Sequence, residues 1–288
     1  MQNPVSRLLP KSLRSKNPTI PVLRLHGTIA AAGTQFQPRL SLASTAALLQ
    51  KAFSYPDAPA VAISINSPGG SPVQSRLIYK RIRDLAAEKN KTVLMFVEDV
   101  AASGGYMIAA AGDEIIADPS SIVGSIGVIT ASFGFPELLK KAGIERRVHT
   151  AGNNKSILDP FKPEKKEDVA LLKALQLDIH RTFIDLVKER RGTKLVDNPD
   201  LFTGMFWTGM RAQELGLVDH LGDMRSFLKS RYGEKTRLKL IAQHRGLFGR
   251  FSPFGTGGRL TPDRIAEAAV AGGMEALEER ALWARYGL

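Results

Sequence analysis

Ser103 and Lys155 are the residues whose types and setting could do chemistry. Ser103 stands in Ala101-Ala102-Ser103-Gly104-Gly105-Tyr106, a turn of small residues after the apolar run Val93 to Val97. Lys155 stands in the polar loop Gly152-Asn153-Asn154-Lys155-Ser156. A serine hydroxyl is a weak nucleophile until something accepts its proton. With no histidine obviously placed to do so, an uncharged lysine is the expected base. Free lysine is charged at neutral pH, but burial disfavours the charged form, so a lysine in a dry pocket can serve. Lys155 must therefore be desolvated, and Asp159, the nearest acid in sequence, must point away. The pattern predicts a serine hydrolase, with a peptidase foremost.

Acyl transfer also needs backbone N–H groups aimed at the developing oxyanion. Ser67-Pro68-Gly69-Gly70 suits this, because glycine after a strand lets a substrate approach the backbone and a helix N-terminus follows. Gly70 is the first expected donor, and the amide of Gly104, next to the nucleophile, is the second. In Gly124-Ser125-Ile126-Gly127-Val128-Ile129 a hydroxyl sits between glycines, and Ser125 could bond the lysine amine and fix its direction.

Each residue has a plainer explanation. A serine before two glycines is ordinarily a turn or cap, a loop lysine is ordinarily solvated, and a glycine-flanked serine often serves backbone geometry alone. His149 is the best placed histidine for a conventional serine–histidine–acid triad, ahead of His26, His180, His220 and His244. Asp113 and Glu114 read as the exposed end of the helix after Ser103. Gly69-Gly70 lacks the Gly-Lys-Ser/Thr ending of a phosphate loop.

The elements that must position these residues alternate. Strands are expected at Ile20–Leu25, Ala60–Ile65, Thr92–Val97 and Glu114–Ala117, with two more at Ile126–Thr130 and Glu145–His149. Ser71 as N-cap with Pro72 at the first helical position starts a helix to about Lys89. A short helix follows Ser103 through Ala111, and another lies near Pro136 to Ala142. Val169, Leu172, Leu175, Ile179, Phe183 and Leu186 recur at helical spacing within Pro163–Arg191. A short helix over Arg211–Leu215 and a closing Leu217-Val218 strand come next. The order predicts an α/β fold with mostly parallel strands. Residues 1–17 read as a basic flexible arm, 18–241 as the catalytic domain, 242–260 as a Gly/Phe/Pro-rich linker, and 261–288 as a C-terminal amphipathic helix.

The chain has 288 residues, 43% hydrophobic and 24% charged, which is the composition of a globular protein with a full core. It contains no cysteine, which excludes disulfides, thiolate metal sites and a cysteine nucleophile. No metal or cofactor is called for. No run is long and apolar enough to span a bilayer and no secretory signal is seen, so a cytoplasmic location is expected. The net charge is +12, and no acid precedes Asp57. Such an arm suits solubility first, peripheral contact with the anionic inner membrane second, and nucleic acid last.

Taken together, Ser67-Pro68-Gly69-Gly70, Ala102-Ser103-Gly104-Gly105-Tyr106, the Gly124–Ile129 motif, the Lys155 loop and the later Thr208-Gly209 with Leu215-Gly216-Leu217-Val218-Asp219 resemble the bacterial signal peptide peptidase A family, including its SohB-type members. The resemblance covers roughly residues 18–241. It implies a Clp-protease-like and crotonase-like ββα superhelix, here with a C-terminal helical extension, and a serine–lysine dyad acting on peptides such as released signal peptides. By motif, Ser103 matches the nucleophile, Lys155 the base, Ser125 the lysine-orienting hydroxyl and Gly70 an oxyanion donor. The resemblance also implies a ring- or dome-shaped homo-oligomer. Most members carry an N-terminal membrane anchor where this chain has its basic arm, which opens the way to other peptide substrates. Two alternatives are a noncatalytic membrane-associated scaffold of the same fold and a crotonase-type acyl-CoA enzyme, which would need a carboxylate base.

Overall fold

The computed structural model describes residues 18–31, 39–152, 154–242, 276–277 and 279–288. The basic arm, most of the 242–260 linker and the first part of the C-terminal helix lie outside them. Strands β1 (Thr19–His26), β2 (Ala60–Ser67) and β3 (Thr92–Ala102) form the centre of one sheet, with helices α1 (Leu42–Phe53) and α2 (Pro72–Lys89) as the crossovers. Then come α3 (Gly104–Ala109), β4 (Glu114–Ala117), β5 (Ile122–Gly124), α4 (Pro136–Lys141), α5 (Lys166–Arg191), β6 (Phe206–Thr208), α6 (Gly209–Glu214), β7 (His220–Leu221), α7 (Met224–Tyr232) and β8 (Arg237–Leu240).

The main path of the sheet is β6-β5-β3-β2-β1-β8, with β4 pairing β3 and β7 pairing β4. Every pairing is parallel except β5 with β6. This is the mostly parallel α/β architecture the sequence predicts. The central strands are buried on both faces, as parallel strands under crossover helices must be. On β1, Leu23 and Leu25 face the main core with Leu49, Phe53, Ile78 and Ile82 from the crossover helices, whereas Ile20 and Val22 face a second cluster with Leu228 of α7.

The local signals behave as their chemistry dictates. Ser71 caps α2 by accepting from the Gln74 N–H, Pro72 follows, and Asn90 closes the helix in the left-handed conformation at φ 48°. Helix α1 is capped by Ser41, whose side chain accepts from Ser44 N–H while the Ser44 hydroxyl accepts from Ser41 N–H.

Several expectations need correction. Ile126–Thr130 and Glu145–His149 are not strands: both run as irregular chain, and Ile129 is 65% exposed. The side of β5 away from β3 is taken by β6, with Trp207 pairing Val123. The closing strand is His220–Leu221, since Leu217 and Val218 turn inward to the core beside Ala212. Helix α3 ends at Ala109, and α5 begins at Lys166.

Candidate active site

Strand β3 is the element that delivers Ser103. Its first half pairs with β4 and its last three residues pair with β5. Between them the register against β2 shifts, from Ile65↔Val97 to Ser67↔Ala101. Asn66 sutures the bulge: its carbonyl accepts from Val100 N–H at 3.1 Å and its amide donates to Asp99 at 2.6 Å. The extra residues swing the strand end beside Ser67 and Gly69.

Ser103 itself adopts φ 53°, ψ −123°, a left-handed conformation uncommon for a residue with a side chain, and it is half-buried. Its N–H donates to the Gly124 carbonyl at 2.9 Å. Among the described residues its hydroxyl makes no hydrogen bond. Gly69, at φ 103°, lies against it: a Cβ there would stand 2.7 Å from Ser103 Cβ and 2.9 Å from the Gly104 nitrogen. Gly70, at φ 137°, is packed on the Ile29 carbonyl, and Ser71 N–H donates to that carbonyl at 2.8 Å. Neither Gly70 N–H nor Gly104 N–H has a hydrogen-bond partner among the described residues. The two expected oxyanion donors thus belong to neighbouring loops that meet at Gly69.

Ser125 is brought close to this turn, since it follows Gly124, whose carbonyl accepts from Ser103 N–H. It is 5% exposed, has φ 53°, and its N–H donates to the Met205 carbonyl at 2.7 Å. Gly124 before it, at φ 114°, is overlaid by the Trp207 indole, 2.8 Å from where a Cβ would be. The Ser125 hydroxyl accepts a hydrogen bond from the Tyr286 phenol at 3.2 Å.

Lys155 is not brought to Ser103 as a buried base. It is exposed, on a loop whose backbone turns through Lys155 N–H to the Gly152 carbonyl at 3.2 Å, and it has no hydrogen bond to Ser103 or Ser125. The desolvation expected of it is not supplied by the described residues. Asp159 is occupied elsewhere, accepting from Arg146 and from Phe161 N–H, and these bonds hold its carboxyl below the usual carboxylate range.

The histidines give no triad at Ser103. His149 is exposed, His26 bonds Ser64 at 2.8 Å, His180 bonds the Ile126 carbonyl at 3.0 Å, and His220 bonds Glu114 at 2.8 Å. His244 lies outside the described residues. Among the described residues no carboxylate is hydrogen-bonded to Ser103. No cluster of metal-binding side chains occurs among the described residues.

Sequence reasoning missed three contributors. Asn66 was legible only as a polar strand end. Tyr106 is fully buried and its phenol donates to the Leu217 carbonyl at 2.9 Å, tying the nucleophile helix to the Leu215–Asp219 motif. Burial pushes the Tyr106 phenol well above its ordinary pKa, so it remains a donor. Tyr286 carried no signal beyond its place on an amphipathic stretch.

Comparison with known proteins agrees with the geometry. The description "Peptidase family S49" matches residues 86–245. A protein named Na(+)/H(+) antiporter NhaA in Brucella abortus is 66% identical over 287 residues, 99% of this chain but 39% of its own length. A putative protease of Methanocaldococcus jannaschii is 36% identical over 169 residues, 59% of this chain and 54% of that one. The probable protease SohB of Buchnera aphidicola is 35% identical over 153 residues, 53% of this chain and 45% of that one. The chain therefore spans about half or less of these relatives. None of the helices among the described residues is long and apolar enough to cross a membrane. With a glycine-walled serine at the end of a bent central strand, and a family match running through that strand, the chain belongs to peptidase family S49, the serine peptidase family of the SppA and SohB proteins, with a Clp/crotonase-like fold.

Proposed function

We propose that this chain is a serine endopeptidase in which Ser103 attacks the scissile carbonyl and Lys155 takes and returns the proton. Gly70 and Gly104 N–H stabilise the oxyanion, and water activated by the same lysine hydrolyses the acyl-enzyme. The observation that carries the reading is the strained Ser103 turn pressed against Gly69, with amides on both sides that have no partner among the described residues. Substrates are peptides, signal-peptide-like or from other small or unfolded chains. They lie extended along the cleft edge near Gly70.

The lysine comes from a second copy of the chain. Residues 129–162, which carry Lys155, present Ile129, Phe133, Leu138 and Ile144 to solvent at 58–65% exposure, and α4 has no buried residue. Helix α5 adds Leu171, Leu175, Leu177 and Ile179 at 40–61%. Apolar surface on this scale favours a closed homo-oligomer, and docking it would remove water from Lys155, as its role requires. The basic N-terminal arm gives such an assembly peripheral contact with anionic membrane.

The test is complementation on a fluorogenic peptide. Ser103→Ala and Lys155→Ala should each lose turnover by at least about a thousandfold, by analogy with removal of other nucleophile–base members. Mixed after dissociation and reassembly, the two inactive variants should regain activity, because some interfaces then pair an intact serine with an intact lysine. Full activity in either single variant refutes the dyad. Two inactive variants with no recovery on mixing place both groups in one copy.

A further inference from the structure

The sheet forks after Val97. Strand β3 pairs with β4 as far as Val97↔Ala117, and its pairing with β5 begins only at Val100↔Ile122, so Glu98 and Asp99 stand between the two branches. Beside this fork, on the face of the sheet that packs on α7, opens a crevice of about 370 Å³. Its floor is apolar: Val22 and Phe96 are buried there, and Met224 and Leu238 pack against the same cluster. Its rim carries charge of both signs, with Arg24 of β1 and Arg225 of α7 lining it together with Glu98, Asp118 and Asp223. Neither arginine makes an ion pair among the described residues. Glu98 accepts from the buried Ser64 hydroxyl at 2.5 Å and Asp118 from Ser120 N–H at 2.8 Å, and each keeps one oxygen without a hydrogen-bond partner among the described residues. Asp118 and Asp223 follow the carboxyl ends of β4 and β7, and it is outside such ends, where the strand order divides, that α/β sheets take their ligands.

We propose that this crevice is a binding site for a free apolar amino acid in its zwitterionic form. The ammonium group suits the carboxylates of Glu98, Asp118 and Asp223, the carboxylate suits the two arginines, and a hydrocarbon side chain suits the floor of Phe96 and Leu238. A simple anion would meet three carboxylates and a simple cation two guanidiniums, each against like-charge repulsion. The volume is near the lower end for small-molecule sites, which admits an amino acid and turns away a long peptide. Such a zwitterion is what complete hydrolysis of peptides yields. The crevice includes neither Ser103 nor Lys155, so the site does not depend on the proposed dyad. It does adjoin the strand that delivers Ser103: Glu98 precedes Asp99, which accepts from the Asn66 amide in the bulge.

Isothermal titration of the full chain with L-leucine tests this. Saturable binding is expected, with equal affinity in wild type and Ser103→Ala, since Ser103 does not line the crevice. N-acetyl-leucine, which lacks the ammonium, and leucinamide, which lacks the carboxylate, should each bind at least about tenfold more weakly, and glycine likewise for want of a side chain. The double variant Arg24→Glu, Arg225→Glu replaces two exposed residues, so it should keep the wild-type urea midpoint while weakening leucine binding at least about tenfold. No saturation up to about 10 mM leucine, equal binding of N-acetyl-leucine or leucinamide, or wild-type affinity in the folded double variant overturns the proposal. Loss of binding in Ser103→Ala would put the amino acid beside the proposed nucleophile instead, and would overturn it as well.

Discussion

Gly69 is held at φ 103° with Ser103 Cβ and the Gly104 nitrogen in the space a side chain would fill. Alanine there must push the Ser103 turn away or leave the left-handed region, so the damage falls on geometry that the proposed catalysis uses. Gly69→Ala should slow fluorophosphonate labelling of Ser103 at least about tenfold while costing roughly 1–3 kcal/mol of stability, measured by urea unfolding. Labelling at the wild-type rate would show that the turn tolerates the displacement. Asn66 acts one step further out, through the bulge rather than on any reacting atom. Asn66→Ala leaves Val100 N–H without its acceptor, at a cost of roughly 1–3 kcal/mol, and lets the strand end drift. It should lower kcat more than it raises KM, because the oxyanion geometry is lost while the peptide-binding edge remains.

Helix α5 is tied to the sheet by an ion pair that no single element contains. Arg191, 3% exposed at the helix end, donates to both Asp219 oxygens at 2.8 and 3.1 Å, and Lys194 adds a third bond at 2.6 Å. Burial pushes the Asp219 carboxyl up, but the bonds from Arg191 and Lys194, with that from Ile115 N–H, outweigh it and hold the group below the usual carboxylate range. A depressed native value stabilises the fold fully above the unfolded carboxylate pKa of about 3.9, and the stabilisation disappears as pH falls through the native value. Urea midpoints should therefore drop on acidification below about pH 4, and Asp219→Asn should flatten that slope. Asp219→Ala leaves Arg191 buried and unpaired and should cost about 3–5 kcal/mol. A variant within 1 kcal/mol of wild type would mean that the arginine finds water instead.

At the scale of the molecule, the same stretch that carries Lys155 carries apolar side chains that remain largely exposed among the described residues. Leu138 and Ile144 lose little burial when replaced in the isolated chain, being 61% and 58% exposed. The double variant Leu138→Glu, Ile144→Glu should keep its melting temperature while sedimenting as a smaller species. If the lysine is delivered across that contact, peptidase activity should fall with the assembly. A variant that remains assembled and active would place the interface elsewhere, on α5.

The sequence by itself determined the family and the alternation of strands and helices, and it marked Ser103, Lys155, Ser125, Gly70 and Gly104 as the candidate constellation. These depend on local chemistry: a capping serine before proline, glycines where a side chain cannot fit, and apolar runs that only a doubly covered sheet can bury. Helix α1 was readable in principle from Ser41 and the Leu49, Ala52, Phe53 face, but it lacks the glutamate that makes a capping box stand out. Strands β5 to β8 are two to four residues long, too short for any periodicity to register. Tertiary structure alone decided that the Val128 and Val148 regions are not strands, since β propensity becomes a strand only where the chain is brought alongside a partner. It also decided that Tyr286 reaches Ser125 and that Lys155 stands in solvent, because both are relations between distant segments, set by packing rather than by any neighbouring residue.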